Sequence, residues 1–307
     1  MDAVILGRIG YDLYSEELGV PLEEARTFSR YLGGSSANMA VGLARLGAKV
    51  GMVSCLGTEK LSDFLLGFLE REGVDTARVQ RREGVLPSLA ITGVLPPSNF
   101  PQVFYRHEAA DIQLQCGEED FAYCERARMF ITNGTSLCAS PSRESTYRAL
   151  ERAKAAGCRV VIDIDYRAMS WASAEEAGLA IRLALPFADV LIGNQTELML
   201  TAGVSDLEEA VRRLRGVPLL VSKLGDEGTR VFGEGEPVFL PPYGVEVCTT
   251  IGAGDGFASG FLYGLLQGFP VEKCLHYGNA AAAIVVSRLS CSEAMPTLDE
   301  VERMIRR

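Results

Sequence analysis

Residues 249–261 read TTIGAGDGFASGF, and the run continues as FLYGLL over 261–266, the pattern of a buried helix that carries one acid near its start. Gly252 and Gly254 let the backbone turn tightly and leave amide N–H groups uncovered, while the helix behind them brings the positive end of its dipole. Asp255 therefore stands where an anion is welcome. Taken alone, it is a first-turn carboxylate that stabilises a helix by about 1 kcal/mol. A sharper reading places a transferring phosphoryl group on the amides of residues 252–255, with Asp255 accepting the proton of an attacking alcohol.

Other readings of the glycine-rich stretches fail on single residues. GLARLGAK (42–49) has Ala48 where a P-loop needs lysine, and GAGDGF puts Phe257 at the last glycine of a dinucleotide fingerprint. Only two histidines are present, His107 and His276, and no G-x-S-x-G occurs, so a serine hydrolase triad has little support. Eight dispersed cysteines form no C-x-x-C pair, which speaks against a zinc site or a disulfide framework and for reduced thiols. With 307 residues, 48% hydrophobic and 23% charged, the chain has the composition of an ordinary globular protein. A net charge of −10 with scattered basic residues excludes a dedicated nucleic-acid surface, and an anionic substrate needs a local positive pocket. The start, MDAVILGRIGYD, lacks a basic leader and its apolar run is too short to span a membrane, so a cytoplasmic protein is expected.

Strand-like apolar runs at 3–9, 48–54, 128–132, 159–164, 189–193 and 218–223 alternate with helical patterns at 35–47, 142–157, 173–186 and 205–216. Ser at the cap position and Gly at the end mark these helical stretches. The rhythm predicts an α/β fold around a mostly parallel sheet covered on both faces. Segments at about 11–31 and 84–112 interrupt it with short strands in Pro-rich surroundings and read as a small β lid. The last third is helical over 254–268, 271–288 and 297–306, and no repeat or linker divides the chain, so one domain over 1–307 is expected.

A second glycine motif, GGSSANMAVGLARLG at 33–47, opens a helix about 210 residues before the first. Together, in that order, the two resemble the signatures of the ribokinase-like (PfkB) carbohydrate kinases, and the resemblance runs from ILGRIGYD to MPTL. It implies a three-layer sandwich with a β lid, and transfer of the γ-phosphoryl of ATP, with Mg²⁺, to a sugar hydroxyl. By that resemblance Asp255 is the general base, and Gly252, Ala253 and Gly254 form the anion hole. Asp12 accepts sugar hydroxyls, with Gly34 and Asn38 beside the sugar. Asn194 and Glu197 match an N-x-x-E motif whose acid organises Mg²⁺ through water. Lys223, Gly225 and Gly228 border the ATP phosphates, and Asn279 lines the adenine pocket. Each has a plainer reading as a turn, cap or surface residue. Thr249 stands where the signature has Asp, which removes a carboxylate associated with a monovalent-cation loop, so potassium activation is doubtful.

Within the family, PPSNFPQVFYR, DIDYRAMSW and YGNAAAAIVVSRLSCSEAMPTL are similar to the branch that phosphorylates 5-dehydro-2-deoxygluconate in inositol catabolism, with 2-keto-3-deoxygluconate as the alternative acceptor. A sugar acid needs a cation, and Arg106 and Arg167 are the candidate carboxylate clamps, with Tyr105 alternating in facing with Arg106. An apolar lid face would favour a homodimer. A binding protein that kept the fold and lost turnover is the non-catalytic alternative.

Overall fold

The computed structural model describes residues 1–96 and 99–306; Pro97 and Ser98, within the expected second lid segment and the stretch PPSNFPQVFYR, and Arg307 lie outside the described residues. Strands are β1 (Ala3–Leu6), β2 (Gly10–Ser15), β3 (Phe28–Gly33), β4 (Val50–Gly57), β5 (Asp75–Arg82), β6 (Ser88–Thr92), β7 (Gln102–Tyr105), β8 (Met129–Asn133), β9 (Arg159–Asp163), β10 (Val190–Asn194), β11 (Leu219–Lys223), β12 (Thr229–Phe232) and β13 (Val238–Leu240). Helices are α1 (Ser35–Arg45), α2 (Lys60–Arg71), α3 (Glu118–Cys124), α4 (Ser142–Ala155), α5 (Ala174–Ala184), α6 (Gln195–Ala202), α7 (Leu207–Leu214), α8 (Ala253–Leu266), α9 (Val271–Val286) and α10 (Leu298–Ile305). Ser173 caps α5 by accepting from the Glu176 N–H at 3.1 Å, whereas α7 is capped by Asp206 rather than by Ser205 before it.

The apolar runs pair because they are buried on both faces. Ala3 and Ile5 of β1 pack into one core with α1, α8 and α9, while Val4 and Leu6 pack into the other with α4 and α5. The sheet order is β13-β12-β11-β10-β9-β8-β1-β4-β5, parallel except for β12 and β13. From β1 the chain runs to β4 on one side and returns through β8 on the other, which makes the carboxyl ends of β1 and β8 a topological switch point.

The two interruptions form a separate sheet of order β3-β2-β6-β7. Tyr11 and Leu13 turn one face of it toward the core, where Tyr11 meets the Phe64 ring of α2 edge-on at 5.8 Å. The register puts Leu89 opposite Tyr105 and Ala90 opposite Phe104, so Tyr105 shares the face of Tyr11, and Phe104 that of Asp12. Among the described residues no helix is long and apolar enough to cross a membrane.

Close packing of α8 on α9 brings the first turn of α8 to the switch point. A Cβ at Gly260 would lie 2.2 Å from the Tyr277 carbonyl oxygen, so only glycine lets the two backbones approach. Gly260→Val should therefore lower stability by about 3 kcal/mol in urea unfolding. A midpoint unchanged from wild type would contradict this packing.

Candidate active site

Gly252 enters α8 at φ +85°, the left-handed region, and a Cβ there would lie 2.9 Å from Cys291 Sγ. Glycine is required by conformation and by space. No side chain caps α8. Asp255 faces α1 instead: its Oδ1 accepts from Ser35 Oγ at 2.7 Å and its Oδ2 from Asn38 Nδ2 at 2.8 Å. Of the first-turn amides of α8, that of Ala253 donates to the Thr250 carbonyl at a long 3.4 Å, while those of Gly254 and Asp255 have no intrahelical acceptors and stay available to another anion. Burial and then Asp165 push the Asp255 carboxyl upward, opposed by the Ser35 and Asn38 donors.

Asp12, in β2, is buried beside this pair, and burial raises it to about 6, opposed by Arg8 and reinforced by Asp255. Gly33 makes room for it, since a Cβ there would overlap the Asp12 carboxylate at 2.0 Å. Gly34, expected to be small for the sugar, has a nearer reason: at φ +94° its Cβ would lie 2.5 Å from the Arg8 carbonyl oxygen.

Strand ends supply the opposite wall. Asp163 closes β9 and pairs with Lys223 Nζ, which ends β11, at 3.3 Å. Burial raises Asp163 to about 7 against the pull of Lys223. Burial pulls Lys223 down, but Asp163, Glu197 and Asp255 outweigh it and hold the ammonium charged. Asp165, at φ +36°, pairs with Arg167 Nη2 at 2.9 Å and raises that guanidinium. Asn194 and Glu197 form a capping box on α6, and Glu197 accepts from the Asn194 N–H at 2.8 Å and the Tyr166 N–H at 2.9 Å. A buried acid thus ties the Asp165–Arg167 loop to α6.

Two pockets meet here. A polar cleft of about 810 Å³ is lined by Asp163, Arg167, Glu197 and residues 250–255, with Gln102 and Phe104 of the lid above. A more apolar pocket of about 490 Å³ is lined by Tyr243, Val247, Phe257, Ala282, Ala283 and Val286. Lys223, Gly225, Thr250, Ala253 and Gly254 belong to both. Gly254 sits at the junction, where a Cβ would lie 3.3 Å from Lys223 Nζ. Gly228, at φ +121°, allows the Leu240 carbonyl to approach, and Gly225 turns the chain at φ +67°. Asn279 reaches the second pocket as expected, but its Nδ2 donates to the carbonyls of Leu240 (3.2 Å) and Pro241 (2.9 Å) and its Oδ1 accepts from Thr229. It pins the loop that walls the pocket.

Two expected contacts are displaced. All five N–H donors of Arg106 are taken: by Asp111 Oδ2 from Nε and Nη2, by Cys138 Sγ and Ser170 Oγ from Nη1, and by the Thr135 carbonyl from Nη2. It is a buried structural ion pair with no donor left for a substrate carboxylate. Tyr105 lies on the Tyr11 face of the lid sheet, opposite the Phe104 face that covers the cleft, and is 61% exposed. Arg167 remains as the half-exposed cation on the cleft wall.

Ser35, Asn133, Asp163 and Asp165 were not marked in the sequence. VVIDID carries a signal for the last two, because residues at and just beyond the carboxyl end of a parallel strand face the ligand crevice. Asn133 at the end of β8 obeys the same rule.

Residues 2–298 match the pfkB family of carbohydrate kinases. A 5-dehydro-2-deoxygluconokinase of Shouchella clausii is 40% identical, with 99% of this chain and 95% of the relative covered. One from Clostridium tetani is 37% identical over 100% and 93%. A crystal structure of fructokinase with bound ATP from Xylella fastidiosa superposes with a TM-score of 0.85 at 28% identity, covering 99% and 98% of the two chains. A carboxylate beside a helix amino end, in a polar cleft that adjoins an apolar pocket, thus lies in a chain that belongs to the pfkB family of ATP-dependent carbohydrate kinases.

Proposed function

We propose that the protein phosphorylates the 6-hydroxyl of 5-dehydro-2-deoxy-D-gluconate with ATP. The carrying observation is Asp255, held by Ser35 and Asn38 in the polar cleft, next to Gly254 at the junction of the two pockets, with Arg167 on the wall of the same cleft. The acceptor hydroxyl attacks the γ-phosphorus and its proton passes to Asp255. The bond from the γ-phosphorus to the β-γ bridging oxygen breaks, and ADP leaves. The α8 amides and Lys223 receive charge on the transferring group. Asp12 and Asn38 take sugar hydroxyls, and Arg167 takes the carboxylate at the far end, which leaves the other end toward Asp255. The names of the relatives support the choice of acid.

The apolar pocket suits an adenine, and Gly254 leaves space beside Lys223 that phosphates need. Mg²⁺ would neutralise the phosphates. Among the described residues no cluster of three or more metal-ligating side chains exists, which fits a metal carried in by the nucleotide and met by Glu197 through water. Thr249 is buried and accepts from the Ile251 N–H at 3.2 Å, and no potassium activation is expected. Exposed apolar residues of the lid segment, Leu86 at 63% and Tyr105 at 61%, support a homodimer formed there. Eight free thiols support a cytoplasmic setting.

Asp255→Asn keeps the size and removes the proton acceptor, so kcat should fall by about 10²–10⁴-fold while ATP still binds in calorimetry. Activity within a few-fold of wild type would reduce Asp255 to a structural residue. Arg167→Met should raise the acceptor KM about tenfold for the acid and far less for fructose. Equal effects on both acceptors, or a wild-type preference for 2-keto-3-deoxygluconate, would sink the substrate assignment.

The pH dependence follows from Asp12, whose surroundings hold it near 6. Arg8, Arg167 and Asp255 are the charged groups that act on it, with Tyr14 and Cys291 neutral beside it. Its raised pKa leaves it ionised, and able to accept hydroxyls, only above that value. The acceptor KM should therefore rise about tenfold per unit below that pH, and Asp12→Asn should abolish the slope. A flat KM from pH 5 to about 7 in wild type would contradict this role.

A further inference from the structure

Asn133 is fully buried at the end of β8, and its amide lies between two hydroxyls of α1. Its Nδ2 donates to Ser35 Oγ at 3.0 Å, and its Oδ1 accepts from Ser36 Oγ at 2.5 Å. Ser35 Oγ in turn meets Asp255 Oδ1 at 2.7 Å. A hydroxyl carries one proton. With Asn133 already donating to it, Ser35 is free to give that proton to Asp255. The reversed amide would draw the Ser35 proton to Asn133 and set an oxygen lone pair against the carboxylate, an arrangement that only a protonated Asp255 tolerates. Ser36 Oγ donates to Oδ1 in this arrangement and would have to turn its proton elsewhere to accept from a reversed amide. Gly7, just beyond β1, supplies the space, because a Cβ there would lie 1.9 Å from Ser36 Oγ and 2.8 Å from Asn133 Oδ1.

We propose that Asn133 is a positioning residue: it fixes the direction in which Ser35 donates and so holds the Asp255 carboxylate as a base. The proposal rests on the reading of Asp255 as the base. Asp255 is faced by Ser35 and Asn38 from α1, by Asp165 and Arg167 from the loop after β9, by Asp163 at the end of β9, by Lys223 at the end of β11, by Asp12 and Tyr14 from β2, and by Cys291. Donation to the ionised form favours it, so loss of the Ser35 donor raises the pH at which the base titrates.

The test is the pH profile of kcat, taken at saturating acceptor and Mg·ATP so that Asp12-dependent binding drops out, for wild type, Asn133→Ala, Ser35→Ala and the double variant. Each single variant should move the acid limb up by about half to one pH unit, and the double variant no further than either single. The KM for ATP should stay within about twofold. An unmoved limb in Asn133→Ala, or a double shift equal to the sum of the singles, overturns the proposal. If Asn133→Ala does not fold, Ser36→Ala frees the amide to reverse and should move the limb in the same direction, and an unmoved limb there also overturns it. Asp255→Asn separates the two ideas: retained turnover removes the base itself, whereas lost turnover with an unmoved limb in Asn133→Ala removes only the relay.

Discussion

The hydrogen bonds from Ser35 and Asn38 to Asp255 join helices separated by more than 200 residues of chain, and the site depends on that junction. An acid in the first turn of a helix ordinarily satisfies its own amides and dipole. Here the carboxylate turns to α1, so the amide end of α8 stays open to a second anion a few ångströms away. In the proposed reaction, the two negative groups that a phosphoryl transfer to an alcohol brings together, base and phosphate, would thus be held by different helices. Gly252, Gly260 and the dense α8–α9 packing hold α8 in place, and Gly33, Gly34 and Gly7 let α1 reach it.

Charge around the cleft is not simply positive. Asp12, Asp163, Asp165, Glu197 and Asp255 outnumber Lys223, Arg167 and Arg8. In a chain of net charge −10, a bare triphosphate would meet repulsion, and entry as a magnesium complex would lessen it. Lys223 stays charged because Asp163 partners it, which in turn keeps a cation at the meeting point of the two pockets.

The six continuous apolar runs were legible because strands buried on both faces need apolar residues at every position. Strand β5, DTARVQRR, was not: as an edge strand it carries arginines that pair with Asp63 and Glu119, so neither alternation nor an apolar run marks it. The glycine motifs pointed to the two helix starts that carry Asp255 and Asn38, because conformational demands at helix starts are local. Arg106 misled for the opposite reason. Its partner Asp111 lies five residues on, and nothing local says whether a lid arginine serves the fold or a ligand. Tyr105 failed on parity alone, since a period of two separates the faces without saying which one is inner. Asn133 and Asp163 escaped notice because each ends an apolar strand and acquires its partners only when distant segments converge.

In the proposed reaction this geometry delivers a phosphoryl group to a primary hydroxyl held against Asp255 at one end of a sugar acid. Phosphorus-31 NMR of the product formed from Mg·ATP and 5-dehydro-2-deoxygluconate tests it most directly. The account predicts one new ester signal, split by the two protons of a terminal methylene and growing in step with ADP. An ester coupled to a single carbinol proton, or ADP released with inorganic phosphate and no ester, would contradict it.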